Sequence, residues 1–166
     1  MTESIAKVAK SEQTFGINLL TFNSAKAYDQ VLSDFEKQLG KLDQNKAVAP
    51  GVDLEESVHG MEGQSGLMIV VGFDMDPVLP SLIASGTRAR QYLVGNPLIA
   101  SKMAQHSTLA ALYAPPRVLI YTGDGKSWIS YDQPSTCFGR LGSSDILEIA
   151  KDLDRKFEQL ARTALT

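Results

Sequence analysis

With a single cysteine, Cys137, the chain cannot form an internal disulfide. Its two histidines, His59 and His106, fall short of the three or four Cys, His or carboxylate ligands at recognisable spacing that a zinc site needs. No metal and no cofactor are expected. The sequence has no phosphate-binding loop, dinucleotide fingerprint, Gly-x-Ser-x-Gly elbow or zinc-protease helix. Long apolar runs are missing as well. The longest, Leu67 to Val71, is far too short to span a bilayer. Residues 1–7 lack the apolar core of a secretory signal. A basic excess is also absent: the net charge is −3 and the pI about 5.4, so there is no electrostatic footprint for nucleic acid and no polybasic membrane patch. The expectation is a cytoplasmic chain without nucleic-acid or membrane partners.

What is present supports a folded core. The 166 residues are 43% hydrophobic and 21% charged, which suits a single domain over 1–166. Residues 1–13 are polar and read as an arm. Phe15 to Phe22 reads as a strand. Tyr28, Val31, Leu32, Phe35 and Leu39 recur at helical spacing, with Gly40 placed to end that helix in a left-handed cap. Residues 41–66 lose all periodicity. They hold several glycines and an acidic cluster, and read as a long loop or insertion and as the most mobile internal segment. Asp53 and Glu56 have capping-box spacing, which allows a short helix from Leu54.

Leu67 to Phe73 is continuously apolar and reads as a buried central strand. Pro77 to Ser85 allows one or two helical turns before Gly86. Ala89 to Val94 reads as a strand, and Pro97 opens a helix to about Gln105. Arg117 to Tyr121 and Ser127 to Tyr131 flank Gly123-Asp124-Gly125, a hairpin signal. From Ile146 to Ala164 the apolar residues mark a long amphipathic helix, with Asp152–Lys156 and Glu158–Arg162 as four-apart ion pairs. The fold expected is α+β: a mixed or antiparallel sheet of about five strands, with helices packed on one face.

Between Arg90 and Pro134 these elements carry a recognisable series. Tyr92-Leu93-Val94-Gly95-Asn96-Pro97 is followed by Leu109 to Leu112, then Pro116 to Tyr121, then Gly125 to Pro134 with its Ser130-Tyr131-x-x-Pro134 ending. This resembles the domain-of-unknown-function family numbered three hundred and two, and the helix from Ala25 to Leu39 looks like the family's first helix. The resemblance covers about two thirds of the chain. It implies a compact α+β fold, often self-associating, and no known reaction. Two features depart from it. Phe73-Asp74-Met75-Asp76 stands where the family commonly has Ile-Asp-His, so the histidine is missing, and the 41–66 connection looks longer.

The residue types that bear chemistry are few. Gly95-Asn96-Pro97 lies where a strand passes into a helix, and free N–H groups there suit an anion; a turn glycine, a cap and a first-turn proline explain the triplet equally well. Arg90, Lys102 and Arg117 could bring positive charge near that turn. Strand alternation sets Arg90 with Tyr92, and Arg117 with Tyr121, but leaves open whether those faces coincide. Asp74 and Asp76 suit a cation or a cap. Cys137 suits a nucleophile, with His106 as base, or a buried thiol.

The reading is a protein that binds a small polar or anionic organic ligand near the Gly-Asn-Pro turn, through Asn96, Arg117, Tyr131, Arg90 and Lys102. The alternatives are a cofactor-free enzyme with His106, Asp74 or Tyr131 in acid/base roles, and a self-associating protein with no ligand. A homodimer is expected, because a small sheet leaves an edge to be covered. Serine caps a helix nearly as well as asparagine, so Asn96→Ser is expected to keep its stability and lose ligand.

Overall fold

Apolar side chains at every second position give a sheet one buried face, and apolar side chains at helical spacing give the helices that cover it. The computed structural model describes residues 8–166. It places β1 at Leu19–Ser24, α1 at Tyr28–Glu36, β2 at Gly40–Lys41, α2 at Gln44–Ala47 and α3 at Leu54–His59. Then come β3 at Met68–Asp74, α4 at Pro80–Ser85, β4 at Ala89–Gly95 and α5 at Pro97–Ala104. The C-terminal part holds β5 at Arg117–Gly123, β6 at Lys126–Asp132, α6 at Pro134–Phe138 and α7 at Ser144–Leu165. The strands form one six-stranded sheet in the order β1-β6-β5-β4-β3-β2. Every neighbouring pair is antiparallel except β2 with β3, so the fold is α+β with a mixed sheet. The extra strand is β2, whose two residues are too few to leave a periodic signal.

Register decides which side chains share a face. Tyr92 stands opposite Val118, Val118 opposite Tyr131, and Ile120 opposite Ile129. All five are buried and pack with Val31 and Phe35 of α1 and with Ile146, Leu153 and Phe157 of α7 in one cluster. The stripe read along α7 is the buried one, and both of its four-apart ion pairs form, Lys156 to Asp152 at 3.2 Å and Arg162 to Glu158 at 2.7 Å. The β5–β6 hairpin turns through Asp124 and Gly125, both at positive φ, which matches a two-residue turn to the twist of its strands. On the opposite face of the sheet, Leu93, Leu119, Tyr121 and Trp128 remain half-buried.

Several local expectations change. Gly40 does not end α1 in a left-handed cap; the helix closes at Lys37 in a right-handed conformation, and Gly40 opens β2. The strand expected to be central, β3, lies one place from the edge, and only Met68 of its residues is buried, because its outer neighbour β2 is so short. Within 41–66 the chain is not aperiodic throughout. Asp43 and Asp53 accept hydrogen bonds from Lys46 N (3.0 Å) and Glu56 N (2.8 Å), capping α2 and α3. Ala47 and Val58 of those helices form a small second cluster with Met68. Of the polar arm, residues 1–7 lie outside the described residues, and 8–13 join no element.

Candidate functional site

Where β4 becomes α5, the chain folds around one buried amide. Asn96 caps α5: its Oδ1 accepts from Leu98 N at 2.8 Å. Its Nδ2 donates to Glu62 Oε1 at 2.6 Å and to the Gly66 carbonyl at 2.8 Å. Both N–H donors are therefore spent inside the protein. Glu62 Oε1 also meets His59 Nδ1 at 3.0 Å. The turn thus ties α5 to the end of the 41–66 segment. A serine hydroxyl would keep the cap but reach neither Glu62 nor Gly66, so Asn96→Ser cannot be neutral for stability, contrary to the sequence-based expectation. Gly95 is small for a packing reason, since a Cβ there would stand 3.0 Å from Pro115 Cβ.

Beside this turn lies a cavity of about 210 Å³. Its walls include Leu42, Val70, Ile99, Met103, Pro115 and Leu153, so it is apolar almost throughout, with Asn96 at its polar end. Val70 reaches it from an irregularity in β3, where the pairing register shifts between Ile69 and Val71. A second cavity, of about 550 Å³, lies across the Ala114–Pro116 segment, which lines both. Its walls include Arg117, Asp132 and Cys137.

The residues singled out in the sequence do not converge. Arg117 and Tyr131 lie on opposite faces of the sheet, because Tyr131 pairs with Val118 and strand neighbours alternate. Tyr131 is core: its ring lies 6.0 Å from Phe22 and 5.5 Å from Phe157, and burial holds its phenol above the usual range. Arg90 binds Asp74 of the neighbouring strand β3 at 2.7 Å, approaches Glu36 of α1 at 3.8 Å and covers the Tyr92 ring. The Tyr92 hydroxyl donates to Glu36 at 2.7 Å, and burial followed by that bond raises its pKa. Asp76 accepts from Ala89 N at 3.2 Å. Asp74 and Asp76 thus fasten β4, and among the described residues no group of three or more His, Cys, Asp or Glu is arranged to hold a metal ion.

His106 lies just beyond α5, 3.6 Å from Asp145, and shares an open groove with Lys102. Neither lines the cavity at Asn96. Cys137 is buried in α6, and burial, then Asp132, pushes its thiol up, the opposite of what a nucleophile needs. His106, Asp74 and Tyr131 therefore share no site. Of the walls of the cavity at Asn96, the sequence reading named the Gly95-Asn96-Pro97 turn; the others escaped it because they are ordinary apolar residues on separate elements.

The fold and the turn define a class: an α+β protein with a mixed sheet, helices over one face, and an apolar cavity where a strand enters a capped helix. The chain belongs to the family described as Domain of unknown function DUF302, whose model matches residues 52–164, more than half of the chain. The match begins beyond α1, so the helix read as the family's first lies outside it. A solved structure, the uncharacterized conserved protein DUF302 from Bacillus stearothermophilus, has the same fold with a TM-score of 0.63. At 17% identity it covers 88% of this chain and 97% of its own. No curated protein matches the chain. No helix among the described residues is long and apolar enough to cross a membrane.

Proposed function

We propose that this protein binds a small organic molecule in the cavity beside Gly95-Asn96-Pro97. The observation that carries the reading is the cavity itself, about 210 Å³ with an apolar lining. An engineered apolar cavity of about 150 Å³ accepts benzene, so a space of this size and lining suits a small apolar ring. The ligand is therefore apolar over most of its surface, in place of the anionic one read from the free N–H groups of a helix start. Thermal shift with indole as probe tests this. At about a hundred times its dissociation constant the probe adds about 2.7 kcal/mol of apparent stability. Ala100→Phe, which fills the cavity, abolishes the shift. An equal shift in both proteins, or none in the wild type, rejects the site.

A second proposal, self-association, rests on the uncovered sheet face. Leu19 and Phe73 are 66% and 48% exposed there, beside half-buried Leu93, Leu119, Tyr121 and Trp128. Apolar side chains left open on a sheet face mark an interface, and the stacked Tyr121–Trp128 pair with Leu119 lies toward the hairpin end of the face, away from Arg117 and Asp132. Light scattering at micromolar concentration is expected to give twice the 18.0 kDa chain mass, and Leu119→Glu, which sets a charge in the middle of the face, returns it to the monomer. A wild-type monomer sinks the idea.

A further inference from the structure

We propose that the larger cavity, bounded by Ala114–Pro116 and α6, is a separate site for a zwitterion with an apolar side chain, such as a free α-amino acid. The carrying observation is a pair of opposite charges without partners. Val118 stands opposite Tyr131 in the β5–β6 ladder, so Arg117 and Asp132 take the next cross-strand positions, on one face of the sheet. Both line the cavity and both are exposed.

Other arginines among the described residues are engaged. Arg88 meets Asp29 at 2.8 Å, Arg90 meets Asp74 at 2.7 Å, Arg155 meets Asp152 at 3.0 Å and Arg162 meets Glu158 at 2.7 Å. Arg140 is sandwiched, 3.7 Å from the Phe15 ring centre and 3.8 Å from that of Tyr113. Arg117 has neither a carboxylate within ion-pair distance nor a ring beneath it among the described residues, and Asp132 likewise has no cation or side-chain hydrogen bond.

The two groups are complementary to a molecule that carries a carboxylate and an ammonium close together. Guanidinium grips a carboxylate with two parallel bonds, and a carboxylate accepts from an ammonium. An exposed ion pair between the two side chains themselves is worth under about 1 kcal/mol, so a bridging ligand displaces little. Beyond the charges the walls turn apolar, with Tyr113, Pro115 and Phe138, and the cavity of about 550 Å³ has room for an aromatic side chain. Burial keeps the Cys137 thiol neutral, so it adds to the apolar wall and carries no competing charge.

Calorimetric titration with three probes tests the assignment: L-phenylalanine, 3-phenylpropionate, which lacks the ammonium, and phenethylamine, which lacks the carboxylate. L-Phenylalanine is expected to bind at least about tenfold more tightly than either analogue, since a charge-assisted hydrogen bond is worth that much. Arg117→Gln should weaken L-phenylalanine and 3-phenylpropionate but leave phenethylamine unchanged. Asp132→Asn should weaken L-phenylalanine and phenethylamine but leave 3-phenylpropionate unchanged. Both side chains are exposed and without partners, so unchanged melting temperatures will show that the variants are folded. Ala100→Phe, which closes the other cavity, should leave all three affinities as they were; loss of L-phenylalanine there would move the ligand to that cavity and overturn the proposal. Equal affinity for the three probes, indifference to both substitutions, or no heat from any probe at millimolar concentration would each overturn it as well.

Discussion

Replacing Asn96 by serine should lower the unfolding free energy by about 3 kcal/mol, a large share of the ~5–15 kcal/mol that holds such a protein together. The hydroxyl retains the cap on Leu98 N. What is lost are the two Nδ2 bonds, to Glu62 at 2.6 Å and to the Gly66 carbonyl at 2.8 Å. Asn96 is only 7% exposed, so water does not readily replace them. A hydrogen bond to a charged group contributes about 1.5–3 kcal/mol and a neutral one about 1 kcal/mol. Asn96→Ala should cost about 1 kcal/mol more, for the cap. Urea denaturation of the two variants separates the contributions: a serine variant within 1 kcal/mol of the wild type would mean that the cap is the whole role of Asn96. Asn96→Asp should be worse than serine, because it sets a second carboxylate against Glu62.

Gly40→Ala should be at least as damaging, at about 3 kcal/mol. A Cβ at Gly40 would overlap the Met61 carbonyl oxygen. Gly63 is the other half of the same contact: a Cβ there would fall 2.5 Å from the Gln38 carbonyl oxygen and 2.5 Å from Gly40 N. Neither φ is positive, so the demand is for space and not for a left-handed backbone. Backbone meets backbone on both sides, and neither can swing away as a side chain would. Overpacking a core by one methyl costs about 1–3 kcal/mol where side chains can adjust, and here they cannot. Hydrogen exchange should localise the damage. In Gly40→Ala the amides of Gly40 and Leu42, which donate to Leu67 O and Ile69 O at 3.0 Å each, lose protection. A variant with wild-type stability would show that the segment sits further from β2 than described.

Both substitutions act on the segment 41–66, where the sequence was least legible. The elements with strong local signals are where they were expected. The hairpin at Asp124-Gly125, the cap at Asn96, the short helix after Asp53 and the stripe along α7 are each set within about ten residues of chain, by turn conformation, a side-chain oxygen or a period of 3.6. Segment 41–66 has no such period, because its helices are only four and six residues long and bury Ala47 and Val58 alone. Its order comes from contacts with distant partners: Met68, the Gly40–Gly63 approach and the Asn96 amide.

By itself, then, the sequence determined the α+β class, the order of the major elements and the placing of a turn at Gly95-Asn96-Pro97, since those follow from local geometry and patterning. Tertiary structure alone decided what that turn does. Alternation along β5 and β6 pairs side chains within each strand, but only the register of Val118 with Tyr131 puts Tyr131 into the core and Arg117 beside Asp132 on the other face. The amide that looked free for a ligand is consumed by Glu62 and Gly66, some thirty residues earlier in the chain. The cavity beside it is apolar because Leu42, Val70, Ile99 and Leu153, from four separate stretches, meet there. Burial and hydrogen-bond satisfaction are properties of the assembled molecule: a polar group is available to a ligand only if no other part of the fold has already claimed it, and that depends on contacts that no local window of sequence contains.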